Sequence, residues 1–172
     1  MRTLLMITIV ITPMLCGVGL GQTTGSERPA ALNRLDFMEG RWKVTGWGES
    51  GKGRVNFEGI SRCEWVSRVM MCRDEALQQG EWGTIFLYSY NDRKGRYEGA
   101  FVDDLGQVVA HPVRWEGEQF ISEYEYHVAG GYRRVRRTLS PKGPDVLQQR
   151  AYDLGDERIA VAVELTATRL DK

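Results

Sequence analysis

Few groups in this sequence could carry chemistry, and they are scattered. The 172-residue chain holds two histidines, His111 and His127, and three cysteines, Cys16, Cys63 and Cys72. It has no Gly-x-Ser-x-Gly nucleophile elbow, no glycine-rich phosphate loop and no His-Glu-x-x-His pair. Those routes to acyl transfer, nucleotide binding and zinc chemistry therefore have no starting point. Asp103 and Asp104 are adjacent acids, as are Asp74 and Glu75. Neighbours on a strand point to opposite faces, so neither pair converges, and both are expected to be solvated strand ends or turns. No credible set of metal ligands can be assembled and no catalytic residue is assigned. The chain reads as a binding protein more than as an enzyme.

Arginine and tyrosine offer more. Arg133, Arg134, Arg136 and Arg137 surround Val135. On a strand, Arg134 and Arg136 share a face with Tyr132 and Thr138, while Arg133 and Arg137 share one with Val135 and Leu139. One pair faces outward in any register, where Glu123 and Glu125 of the preceding strand would meet it as ordinary solvated ion pairs. Arg134 and Arg136 are also candidates for the sharper role, in which an arginine at the mouth of a cavity grips an anionic head group with two parallel hydrogen bonds. Two aromatic stripes complete the set. Thr84, Phe86, Tyr88 and Tyr90 alternate along one segment, and Phe120, Ser122, Tyr124 and Tyr126 along another. Turned inward, they would line an amphipathic interior or simply fill a solid core.

The elements that must position these residues are strands. Turn signals rich in glycine, proline, asparagine and aspartate recur about every 8–14 residues. Strands are expected near 41–48, 54–66, 69–77, 82–90, 96–103, 107–115, 118–128, 132–140, 145–153 and 158–170. Ten short sequential strands argue for an up-and-down meander, and closing it into a barrel leaves no exposed edge. Ahead of them, Leu32, Leu35, Phe37 and Met38 crowd into a short helix ended by Gly40, and Trp42 is the first large residue of the first strand. Val66-Ser67-Arg68-Val69 reads as a hairpin with a two-residue loop, so facing residues have numbers summing to 135. Cys63 and Cys72 then face each other at a non-hydrogen-bonded site, where side chains are closer, and a disulfide is expected.

Residues 1–21 have a basic start at Arg2, an apolar stretch from Leu4 to Val18 and small residues after it, the pattern of a cleaved secretory signal peptide. Cys16 follows Leu15 where a lipobox requires a small residue, which argues against lipidation. Residues 22–31 are polar and expected to be a flexible leader, and residues 32–172 a single domain. Secretion or a periplasmic location follows, and paired cysteines suit such a compartment. The formal charge is zero, which gives no general attraction to nucleic acid or anionic lipid. No stable membrane insertion is expected after signal cleavage. Oligomeric state is not legible.

Leu35-Asp36-Phe37-Met38-Glu39-Gly40-Arg41-Trp42, followed by Gly46, resembles the opening of the DUF1579 family, exported bacterial proteins of unassigned function. A second block is similar: Leu87-Tyr88-Ser89-Tyr90-Asn91-Asp92 with Tyr97, then Phe101-Val102-Asp103-Asp104-Leu105-Gly106. Phe101 stands where a tryptophan is more usual, and Asn91 separates Tyr90 from Asp92. More distantly, Gly40-Arg41-Trp42 resembles the Gly-x-Trp signature of calycins, lipocalin-like barrels that include fatty-acid carriers and haem-binding nitrobindins. That resemblance implies a basic residue of the last strand lying across the tryptophan, and Arg169 matches. It implies a carboxylate grip for Arg150-Ala151-Tyr152, which resembles the arginine-x-tyrosine of intracellular fatty-acid carriers. Through nitrobindins it would also imply a haem ligand in His111 or His127, although His127 shares the parity of Glu123 and Glu125 and should face solvent.

The expectation is an all-β chain forming a single antiparallel up-and-down calycin-like barrel of about ten strands with a short N-terminal helix. Its interior would hold a small amphipathic, anionic molecule. The alternatives are a haem protein of nitrobindin type and a solid-cored interaction module without ligand.

Overall fold

Alternating side chains carry the chain through ten antiparallel strands that close on themselves. The computed structural model describes residues 28–50, 53–77, 84–102, 106–128, 131–155 and 160–171, with the backbone alone at 50, 75–77, 126–128, 160 and 161. The expected signal peptide, most of the leader, and the turns at Asp103-Asp104, Gly130 and Asp156 lie outside the described residues. The strands are β1 (Gly40–Ser50), β2 (Gly53–Val66), β3 (Val69–Leu77), β4 (Ile85–Asn91) and β5 (Arg96–Val102). They continue as β6 (Val108–Glu116), β7 (Gln119–Val128), β8 (Gly131–Pro141), β9 (Val146–Asp153) and β10 (Ala160–Asp171). Each pairs with its sequence neighbours, and β1 pairs with β10 to close the ring. This is the calycin-like meander that the sequence predicts.

A 3-10 helix, Ala30–Met38, closes one end. Its form follows from spacing. Leu32, Leu35 and Met38 recur every three residues, and three residues make one turn of a 3-10 helix, so all three project from one edge. Each is at most 1% exposed, wedged between the strand ends with Met70, Tyr88, Phe120 and Leu139. The helix begins at Ala30, two residues earlier than the expected domain boundary. It stops at Met38 rather than at Gly40, which is already the first residue of β1.

The seam between β1 and β10 is built around Trp42, which pairs in register with Arg169. The Arg169 guanidinium lies 4.1 Å from the Trp42 ring centroid. It donates to the Glu39 carbonyl and, at 3.0 Å, to the Phe37 carbonyl, groups the helix end leaves unpaired. The Trp42 indole N–H donates 2.7 Å to the Met38 carbonyl. Gly40 makes room for this. Its φ is +126°, and a Cβ there would meet the Asp171 carbonyl at 2.5 Å and Arg169 Nη1 at 2.6 Å. One arginine thus ties the last strand, the first strand and the helix together.

At the same end, Ser67, with φ of 57°, and Arg68 form the two-residue hairpin loop. Cys63 pairs with Cys72 as the sum rule predicts, and a disulfide joins them.

Candidate ligand-binding site

Above the helix, the lumen contains a cavity of about 120 Å³. Its floor is apolar: Met38, Trp42, Leu139 and Leu147, with the Cys63–Cys72 bridge at one side. One inward step along each strand, two residues on, the lining changes character. Above Leu139 on β8 comes Arg137, above Leu147 on β9 comes Gln149, and above Cys72 on β3 comes Asp74. Tyr88 and Phe86 of β4 line the same space. The cavity is therefore amphipathic, with an oily base and a charged upper tier.

Arg137 dominates that tier. It is 7% exposed and is rooted in β8, yet it crosses the lumen to β4. Its guanidinium lies 3.8 Å from the Phe86 ring centroid, Nη1 donates to the Tyr88 hydroxyl, and Nη2 donates 2.6 Å to Gln149 Oε1. These acceptors are neutral, and Nε is buried with no hydrogen-bond partner. A buried cation is costly unless paired, and a ring face with two neutral oxygens offsets only part of that cost. Burial pushes the Tyr88 hydroxyl pKa up, while Arg137 draws it down.

Asp74 supplies the opposite charge without making a direct ion pair. Burial pushes its carboxyl up to about 6, against a smaller lowering by Arg137, Ser61 and the Thr84 backbone. The Ser61 hydroxyl is also 3.3 Å from the Arg73 carbonyl. It has one hydrogen and can satisfy only one of these oxygens at a time.

The arginines and tyrosines singled out in the sequence are distributed differently. Tyr88 lines the cavity. Tyr90 packs edge-to-face on Tyr97, with centroids 5.1 Å apart, against the helix end of the core. Tyr124 lies higher in the lumen in tilted contacts, its ring centroid 4.7 Å from that of Phe101 and 4.9 Å from that of His111. The Tyr126 side chain lies outside the described residues.

Arg134 and Arg136 do not reach the lumen, because the even-numbered residues of this part of β8 face outward. Arg136 pairs with Glu116 at 2.9 Å and with Glu123 at 3.7 Å. Arg134 stands 4.0 Å from Glu125. These are the solvated outer pairs weighed as the plainer reading. Arg150 and Tyr152 are likewise on the outer wall, since Leu147, Gln149 and Ala151 take the inward parity of β9. Arg150 donates to Glu164 at 2.8 and 2.9 Å.

The residues that face the cavity with charge, Arg137 and Asp74, are not among those expected to bind a ligand. Arg137 carries the apolar-face parity of Val135 and Leu139, and Asp74 that of Met70 and Cys72. Parity was thus the available signal for both.

His111 does not offer a haem pocket. His111 is 6% exposed, its Nδ1 is 3.1 Å from the Val109 carbonyl, and Nε2 is aimed at Gly99. A Cβ on Gly99 would stand 2.7 Å from that nitrogen, so backbone occupies the place of an axial iron and its macrocycle. Burial lowers the His111 pKa, which favours the neutral ring. His127 pairs with Tyr132 in the β7–β8 ladder and shares the strand parity of Glu125, and its side chain lies outside the described residues. Among the described residues, no three His, Cys, Asp or Glu side chains gather into a metal-binding group, and no helix is long and apolar enough to cross a membrane.

No family model matches the chain, and no curated protein matches it. Among solved structures it is similar to the Rv2717c protein of M. tuberculosis, with a TM-score of 0.60 at 13% identity over 83% of this chain and 99% of that one. It is also similar to the S-type phycobiliprotein lyase CPES of Guillardia theta, with a TM-score of 0.52 at 11% identity over 81% of this chain and 92% of that one. At such identities the likeness is one of fold: the chain is a calycin-like ten-stranded barrel.

Proposed function

We propose that this protein is an exported, non-enzymatic member of the DUF1579 type whose barrel holds a small amphipathic, anion-bearing molecule in its lumen. Arg137 is the anchor and the Trp42–Leu139–Leu147 floor receives the apolar part. The observation that carries the reading is a buried guanidinium on a cavity wall with no carboxylate partner and an unpartnered Nε. A structural arginine in a core would be expected to meet a carboxylate of the chain, as Arg136 and Arg150 do on the surface. Export is supported by the signal-peptide pattern of residues 1–21 and by the Cys63–Cys72 bridge. DUF1579 membership rests on the two sequence blocks at Leu35–Trp42 and Leu87–Gly106.

The test is native mass spectrometry of wild type and Arg137→Met, both purified from the protein's own host. The expected result is a small-molecule adduct on the wild type that is absent from the variant. A bare wild-type mass, or an adduct retained in full by the variant, would overturn the reading. A haem-sized adduct would favour the nitrobindin alternative.

A further inference from the structure

The upper tier of the cavity presents two opposite charges that do not neutralise each other directly. Asp74 stands on β3, and Arg137 is rooted on β8, five places away in the ring of ten. The guanidinium reaches Phe86 and Tyr88 on β4, the strand beside β3, so it approaches Asp74. Arg137 nevertheless donates to Tyr88 and Gln149, and among the described residues no ion pair links it to Asp74. Arg137 Nε has no partner, while Asp74 accepts from the Thr84 backbone N–H and from a Ser61 hydroxyl that it shares with the Arg73 carbonyl.

A ligand that is only anionic would face the Asp74 carboxylate, and one that is only cationic would face Arg137. A molecule carrying both charges satisfies both walls. Size sets a second limit. A cavity of about 150 Å³ holds benzene, so the 120 Å³ here limits the ligand to about that size.

We infer that the lumen selects a short zwitterion, whose oxyanion meets Arg137, whose ammonium meets Asp74, and whose few methylene groups lie on the Trp42 floor. This rests on the reading of the lumen as a ligand site. Asp74 should lose its pull on an ammonium group as pH falls through about 6. The groups facing it are the Arg137 guanidinium, the Ser61 hydroxyl of β2 and the Thr84 backbone. Burial lowers the His111 pKa, away from the direction in which Asp74 moves.

The test compares β-alanine with propionate, and taurine with ethanesulfonate, by calorimetric titration of wild type, Asp74→Asn and Arg137→Met at pH 7.5. Each zwitterion should bind wild type at least tenfold more tightly than its ammonium-free counterpart. In Asp74→Asn the preference should fall below threefold, and Arg137→Met should bind none of the four probes. Repeating the taurine and ethanesulfonate titrations on wild type at pH 5 should also abolish the preference, a measurement that does not depend on any variant folding. Equal or tighter binding of propionate and ethanesulfonate at pH 7.5 would overturn the zwitterion while leaving the Arg137 site standing. No binding of any probe to wild type, or undiminished binding to a folded Arg137→Met, would overturn the site itself.

Discussion

Asp74 shows most clearly what burial does to a single residue of this barrel. Its carboxyl sits at about 6 in the folded chain, against an ordinary value of 3.8. The folded state therefore holds that proton more tightly than the unfolded state. The residue costs nothing below about pH 4, its penalty grows as pH rises towards 6, and it stays constant above that. Asp74→Asn should accordingly be more stable than wild type at pH 7.5, by about 1–3 kcal/mol in denaturant titration, with the difference vanishing near pH 4. A variant less stable than wild type at pH 7.5 would contradict the burial argument. The outer arginines should behave in the opposite way. Arg134, Arg136 and Arg150 are half exposed in solvated pairs. Each replaced by Ala should shift stability by less than about 1 kcal/mol and leave ligand affinity unchanged. The division between these groups is a matter of strand parity. The sequence shows that Arg137 shares the apolar face of Val135 and Leu139, whereas Arg134 and Arg136, the expected ligand arginines, share the other. Asp74 was harder to see. It sits between two charged neighbours near a strand end, and only its step from Cys72 marks it as inward.

At the scale of elements, the helix, β1 and β10 form one closure. Trp42 is 1% exposed, bonded to Met38, and covered by Arg169 at 4.1 Å. Trp42→Ala should cost about 3–5 kcal/mol in denaturant unfolding, since removing a buried indole leaves a void that the rigid seam cannot collapse. A loss near zero would count against this placement. The β2–β3 hairpin is cross-linked by Cys63 and Cys72, nine residues apart. Reduction should cost about 2–3 kcal/mol, the loop entropy expected for so short a ring, measured as a lower denaturation midpoint with reductant. This hairpin and the ten strands were legible because turn residues and alternation are local signals. The form of the helix was not read, although its i, i+3, i+6 apolar spacing was present. Arg169 became legible only by combining its inward parity on the last strand with the Gly-x-Trp resemblance. Gly40, expected to end the helix, instead opens β1, where its positive φ serves the close approach of Arg169 and Asp171.

At the scale of the whole molecule, one end is sealed by the helix and the lumen above it is oily at the base and charged in the next tier. The sequence establishes the barrel but not whether its interior is open, since the same alternation builds a packed core or a hollow one. The cavity is a property of how Arg137 spans the lumen, and that depends on contacts between β8, β9 and β4, which are distant in sequence. The central claim is that Arg137, and none of the arginines on the outer wall, receives a ligand. The most direct measurement is the NMR signal of arginine Nε–H groups, assigned with Arg137→Met, during addition of β-alanine, taurine, propionate and ethanesulfonate in turn. The account predicts that at least one probe moves the Arg137 Nε–H resonance while those of Arg134, Arg136 and Arg150 stay in place. An unmoved Arg137 with every probe, or shifts confined to the outer arginines, would contradict it.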